Sequence, residues 1–117
     1  MHPGPSGQNS VIRFDIPAAG TWEIKGWFIG NDSHVPTTTD VALLLDSSYY
    51  GTTDLFAGDI NSYNIPLNFD IKTKLGINER IVFTVGWGKD GNYSSDATGI
   101  SAVITLCKFL NFIIPYE

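Results

Sequence analysis

Apolar and polar residues alternate with a period of two along most of this chain. In residues 10–16 the apolar side of the alternation carries Ile12, Phe14 and Ile16. Pro17 follows and lacks the backbone N–H that a strand ladder needs. Such alternation predicts a β-strand with one face in a core and the other in water.

The next segment, residues 21–29, has the same pattern with larger side chains. Trp22, Ile24 and Phe28 share the predicted inner face, whereas Trp27 falls on the outer face. An outward Trp is unusual enough to make this position a candidate for binding.

Residues 40–46, DVALLLD, are almost continuously apolar. The pattern predicts a strand that is covered on both faces, and the C-terminal tail is one candidate for the cover. A short strand is expected at residues 54–57, between two polar loops.

Residues 65–75 and 80–87 alternate strongly and are separated by the turn sequence GINE. They are predicted to form a hairpin whose outer face carries charges of both signs. Residues 81–106 are predicted to contain a buried strand pair that flanks a polar loop at residues 86–98. The tail KFLNFIIPYE is apolar enough to be buried as a last strand or against a partner.

Seven or eight strands with frequent turn signals and no helical periodicity predict an all-β fold. We expect a two-sheet antiparallel β-sandwich of jelly-roll type, because the Cys-Trp-Cys spacing of immunoglobulin domains is absent. Residues 1–9 are predicted to be a flexible N-terminal segment, and residues 10–117 a single sandwich domain.

Charge and cysteine content narrow the functional classes. The net charge is −5 and the seven basic residues are scattered, which disfavours nucleic-acid binding. Cys107 is the single cysteine, so it is expected to be a buried small hydrophobe rather than part of a disulfide or a zinc site. The first ten residues hold no apolar run, so neither a signal peptide nor a membrane span is predicted, and the compartment stays open.

The polar loops contain two groups that could carry chemistry. His34 lies beside Ser33 and Asp32, but a catalytic triad needs residues from separate elements, so no catalytic residues are predicted. The loop at residues 86–98 offers oxygen donors for calcium, and the alternative is that they cap the loop's own backbone amides. These candidate metal ligands are Asp90, Asn92 and Asp96.

Several stretches taken together carry a family resemblance: RFDIPAAGTWEIKGWFIGND, TTTDVALLLD, GDINSYN and NERIVFTVGWGKDGNYSSDATGISAVI. Over roughly residues 11–105 the chain resembles a repeated, jelly-roll, carbohydrate-binding-module-like domain of bacterial extracellular and cell-surface proteins. It departs from that pattern at Asn78 and Glu79, where Gly-Asp is usual, and the tail after Thr105 lies outside the match. The resemblance implies an extracellular, non-catalytic module that binds a polysaccharide or other glycan.

Sugar binding needs aromatic faces for stacking and polar groups for the hydroxyls. The aromatic residues near loops or outer faces are Trp27, Tyr49, Tyr50, Tyr63, Trp87 and Tyr93. For each tyrosine the alternative is an edge residue whose hydroxyl is in water, and for Trp87 it is burial in the core.

Two further classes remain as hypotheses. The outward aromatic residues and the apolar tail could form a subunit interface, which would make the chain a structural or oligomerising module without a small ligand. A glycosidase would need a carboxylate pair in a cleft, and the only glutamates are Glu23, Glu79 and Glu117, so an aspartate would have to complete it.

Overall fold

The computed structural model describes residues 1–31, 37–88 and 97–107. These residues contain strands and no helix. The strands are β1 (Ser10–Asp15), β2 (Gly20–Gly30), β3 (Thr39–Ser47), β4 (Gly51–Ile60), β5 (Leu67–Leu75), β6 (Glu79–Gly86) and β7 (Thr98–Cys107). They form two antiparallel sheets, so the predicted all-β, two-sheet sandwich is confirmed.

The four-stranded sheet has the order β1-β6-β3-β4, and the three-stranded sheet has the order β5-β2-β7. Of the six connections between the described strands, only the one from β3 to β4 stays within a sheet. Strands that are neighbours in sequence therefore lie mostly in opposite sheets, as they do in jelly-roll topologies.

The core is built from the inward positions of both sheets. Phe69 of β5 lies near its middle, with ring centroids 5.6 Å from Phe28, 5.7 Å from Phe56 and 6.1 Å from Phe83. Because Phe56 and Phe83 belong to the four-stranded sheet, Phe69 joins the two sheets. The buried apolar residues are Ile16, Trp22, Ile24, Phe28, Val41, Leu43, Ile60, Phe69, Leu75, Ile81, Phe83 and Val85.

At one end of the sandwich a polar contact also joins the sheets. The hydroxyls of Thr39 on β3 and Thr98 on β7 are 3.1 Å apart, and both residues are buried. Thr98 also exchanges backbone hydrogen bonds with Met1 in both directions, at 2.6 and 2.8 Å. We call this the Thr98 end, and the opposite end, where β3 turns into β4, the turn end.

The predicted hairpin of residues 65–75 and 80–87 is wrong. β5 pairs with β2 and β6 pairs with β1 and β3, so the GINE turn carries the chain from one sheet to the other. The turn is closed by Glu79, whose backbone N–H donates to the Gly76 carbonyl at 3.1 Å and whose Oε1 accepts from the Gly76 N–H at 2.7 Å. Alternation identifies the inner face of each strand but not its neighbour, and the inner faces of β5 and β6 meet across the core.

Three other expectations need correction. β6 and β7 are not a strand pair, and β7 is an edge strand with Val103 65% exposed. β4 is longer than the predicted residues 54–57. β3 buries Val41 and Leu43, but its opposite face is only half-buried and no described strand packs over it.

Candidate functional site

The candidate aromatic residues lie in three separate places. Trp27 is on the outer face of the three-stranded sheet, Tyr49 and Tyr50 are at the turn end, and Tyr63 and Trp87 follow strands that finish at the Thr98 end. The ends are separated by the eight residue steps of β3 from Thr39 to Ser47, about 27 Å at the usual strand rise. One small ligand cannot therefore contact all of them.

Tyr49 and Tyr50 form an exposed pair in the turn between β3 and β4. They are 83% and 87% exposed, and their ring centroids are 6.1 Å apart. The Ser47 hydroxyl accepts hydrogen bonds from both of their backbone N–H groups, at 3.2 and 3.3 Å, and Gly51 supplies a positive φ of 75°. The turn is held by its backbone, so both rings are left in solvent.

Tyr63 and Trp87 at the Thr98 end are less open. Tyr63 is 50% exposed in the loop after β4, where the Asn64 N–H donates to the Gly30 carbonyl at 3.0 Å. The half-buried Trp87 ring lies against Gly7, where an added Cβ would be 2.9 Å from the indole. Trp87 is thus half-buried against the N-terminal segment and is not among the buried core residues.

Trp27 presents its indole on an open sheet surface, as predicted, and is 37% exposed. In the strand register it lies between Asn68 of β5 and Ser101 of β7. Lys25, two residues earlier on the same face, lies between Asp70 and Val103.

A groove of about 420 Å³ runs beside these positions. We call it the Trp27 groove, and it is lined by Lys25, Gly26, Trp27, Asn68, Phe69 and Asp70. It brings together an aromatic face, an amide, a carboxylate and an amine. Within the described part of the chain no ion pair joins Lys25 to Asp70, so both groups can bond to a ligand.

Gly26 explains why β2 and β7 approach each other closely next to the groove. A Cβ at Gly26 would lie 1.9 Å from the Ser101 carbonyl oxygen and 2.8 Å from the Ala102 Cα, so only glycine fits between these backbones. This contact fixes the position of Trp27 relative to β7.

The sequence missed the polar members of this groove. The alternation places Asn68, Asp70 and Lys25 outward, but the predicted hairpin set Asp70 against the charges of β6. The register instead pairs Asp70 with Lys25 and Lys72 with Glu23. Only the pairing of β5 with β2 brings these groups to Trp27.

The other candidates can be placed only in part. Tyr93 and the metal ligands Asp90, Asn92 and Asp96 lie outside the described residues, as do His34 and the tail after Cys107. Among the residues that the structure describes, no group of three His, Cys, Asp or Glu side chains could hold a metal ion. Cys107 is half-buried at the end of β7, less covered than predicted.

For the glycosidase hypothesis, Glu23 on β2 and Glu79 on β6 belong to different sheets, and the Glu79 carboxylate accepts the Gly76 N–H. Residues 1–31, 37–88 and 97–107 contain no long apolar helix of the kind that spans a membrane.

No protein-family model matches the chain, and neither the curated proteins nor the solved structures include a match. The resemblance to carbohydrate-binding modules therefore stays a prediction.

Proposed function

We propose that this chain is a non-catalytic carbohydrate-binding module and that the Trp27 groove is its sugar-binding surface. The observation that carries the proposal is an indole exposed on an open sheet face beside a groove with amide, carboxylate and amine groups. A pyranose ring presents an apolar C–H face and a polar hydroxyl edge. The groove offers a matching surface to each.

The chemistry of each residue follows from its place. The Trp27 indole would stack on the C–H face of a sugar, because an aromatic ring combines a large apolar area with few rotatable bonds. The Asn68 amide can donate and accept, whereas the Asp70 carboxylate accepts and the Lys25 amine donates. Together they match hydroxyl groups, which do both.

The groove is open along the sheet rather than closed around a chain end. This shape favours an internal segment of a polysaccharide over a monosaccharide. A surface with one aromatic ring and solvent-exposed hydrogen bonds supports weak binding, with a Kd on the order of 0.1–1 mM. Repetition along a polysaccharide would raise the apparent affinity.

The test is affinity electrophoresis against a panel of soluble polysaccharides, followed by calorimetry on any that retard the protein. Trp27→Ala should abolish retardation, and Asp70→Asn should weaken it. Tyr49→Ala is the matched control, because it removes a more exposed aromatic ring in the turn between β3 and β4, outside the Trp27 groove. Running each gel with calcium and with a chelator tests the metal site predicted at Asp90, Asn92 and Asp96.

Two outcomes would count against the proposal, and a third needs a second variant for its interpretation. Retention by no polysaccharide would remove the function itself. Retention that survives Trp27→Ala but is lost in Tyr49→Ala or Tyr93→Ala would move the site to a loop. Loss in Trp27→Ala together with a lower melting temperature would show an effect on folding, and Asp70→Asn, which removes only a surface charge, would then decide.

A further inference from the structure

The outer surface of the four-stranded sheet has an apolar centre. Its outward side chains lie in four cross-strand rows, and three of these span all four strands in the order β1, β6, β3, β4. These three rows are Val11, Thr84, Ala42 and Ala57; Arg13, Val82, Leu44 and Asp54; and Asp15, Arg80, Asp46 and Thr52. The fourth row, at the Thr98 end, holds Gly86, Asp40 and Asp59 on β6, β3 and β4. The three-stranded sheet covers the opposite side, so no described strand covers this surface, which we call the four-stranded face.

Apolar side chains of the four-stranded face reach solvent at its edges. Val11 is 55% exposed and Ala57 is exposed, whereas Val82 and Leu44 on the two central strands are half-buried. An apolar centre with charged residues at its margin is the usual anatomy of a protein–protein interface.

The charges in two rows of this face are arranged so that these rows complement themselves. Arg13 and Asp54 are the two ends of the middle row, on the outer strands β1 and β4. In the next row Arg80 and Asp46 are adjacent, and the Arg80 Nε donates to Asp46 Oδ2 at 2.9 Å. The middle row and the Arg80 row therefore have opposite charges at positions that a reversal of strand order exchanges.

When two copies pack face to face around a two-fold axis parallel to the strands, the strand order of one copy is reversed relative to that of the other. This packing sets β1 of one copy over β4 of the other, and β6 over β3. Arg13 then faces Asp54 of the second copy, and Val82 faces Leu44. In the third row Arg80 faces Asp46 and Asp15 faces Thr52, and in the fourth row Gly86 faces Asp40, so like charges do not face each other in these rows.

We propose that the four-stranded face is the interface of a homodimer with its two-fold axis parallel to the strands. Packed sheets of this kind align their strands within about 30°, which keeps the central rows facing each other. The occupant of the face is thus a second copy of this chain. The Arg13–Asp15 contact within one copy, 3.3 Å long with both side chains more than half exposed, is weak enough to be exchanged for the intersubunit pair.

The size of the face sets the expected strength. Four strands about 4.8 Å apart and four rows about 6.8 Å apart give about 500 Å² per subunit, or about 1,000 Å² in the dimer. This is the lower limit for a specific interface. We expect a reversible dimer, visible only in a concentration series.

The experiment is sedimentation velocity at low salt over about 5–500 µM, a range suited to a weak interface. Arg13→Asp and Asp54→Arg should each weaken dimerisation about tenfold, because each sets two like-charged pairs across the axis. The double variant Arg13→Asp/Asp54→Arg should restore it to within about threefold, because both pairs are re-formed with reversed sign. Lys72→Asp, which makes the same charge change on the outer face of the three-stranded sheet, should have no effect.

A monomer across the whole range would overturn the proposal, as would a trimer, which has no two-fold axis. A dimer indifferent to both single variants would overturn it too, because its interface would lie elsewhere. Failure of the double variant to recover would refute the axis, since this axis sets position 13 of each copy over position 54 of the other. All three substituted positions are exposed, so unchanged circular dichroism is expected and separates association from folding.

Discussion

The two outer faces of the sandwich are built on the same alternation but carry different side chains. On the three-stranded sheet, oppositely charged residues face each other across β2 and β5, with Lys25 opposite Asp70 and Glu23 opposite Lys72. On the four-stranded sheet, the central outward positions include Val82 and Leu44. The first surface is suited to water and to hydroxyl-rich ligands, and the second to protein.

The comparison shows that burial alone does not identify a binding surface. Leu44 is less exposed than Trp27, yet both belong to faces that no described strand covers. What differs is the chemistry of the neighbours in the register. Trp27 has Asn68 and Ser101 beside it, whereas Leu44 has Val82 and Asp54.

The largest expected effect comes from removing the residue that both sheets share. Phe69→Ala should lower the free energy of unfolding by about 3–5 kcal/mol, because it leaves a cavity between rings of both sheets. Urea denaturation followed by Trp fluorescence measures the loss. Tyr49→Ala, which truncates an aromatic residue in solvent, should stay within about 0.5 kcal/mol of the parent protein. Equal losses in the two variants would contradict the position of Phe69 in the core.

A smaller effect is expected where the three-stranded sheet is closest-packed. Gly26→Ala should cost about 1–3 kcal/mol, because its Cβ would meet the backbone of β7 and push that strand away from Trp27. Thermal unfolding gives the stability change. The shift of the Trp27 indole N–H signal by nuclear magnetic resonance gives the local displacement.

Gly76→Ala is the control for that variant. A Cβ there would lie 3.7 Å from the Glu79 carboxylate, which is an ordinary contact. Glycine at position 26 would prove dispensable if both alanine variants were equally stable, and the close approach of β2 and β7 would then be refuted.

The smallest effect concerns ion pairs on the four-stranded face. Asp46→Asn should cost about 0.5–1 kcal/mol, because the Arg80–Asp46 pair is partly shielded from water. Asp15→Asn should cost close to nothing, since the Arg13–Asp15 pair is mostly exposed. Chemical denaturation in urea at low and high salt measures both. A larger loss of stability for Asp15→Asn than for Asp46→Asn would contradict the expectation that the partly shielded Arg80–Asp46 pair contributes more than the exposed Arg13–Asp15 pair.

The alternation in the sequence predicted most of the inner faces, but Ile12, which it placed on the core side of β1, is 45% exposed near the start of that strand. Ile24, Phe28, Phe83 and Val85 are all buried where the pattern placed them, because a period of two directly reports which side of a strand meets the core. The outward position of Trp27 followed from the same rule.

Strand partners could not be read in the same way. β5 and β6 are separated by a short turn and both alternate, which is equally compatible with a hairpin and with two strands that face each other across a sandwich. The polar side of the Trp27 groove was missed for this reason, since Asn68 and Asp70 reach Trp27 only through the pairing of β5 with β2. The continuous apolar run in β3 predicts a strand that is covered on both faces. The run is continuous because its outward residues, Ala42 and Leu44, belong to the apolar part of the four-stranded face.

The interleaved order of the strands also has a kinetic consequence. β2 lies at the centre of its sheet, and its register partner for Thr21 on one side is Cys107, 86 residues later. Bringing such distant residues together costs loop-closure entropy before their contacts stabilise the fold. We therefore expect folding on the millisecond-to-second scale typical of all-β domains. A ribosome that has made β1 to β6 has not yet supplied β7, so β2 emerges with one edge open. Among the described strands, the pairing of β2 with β7 beside Trp27 is thus the last to be completed during synthesis.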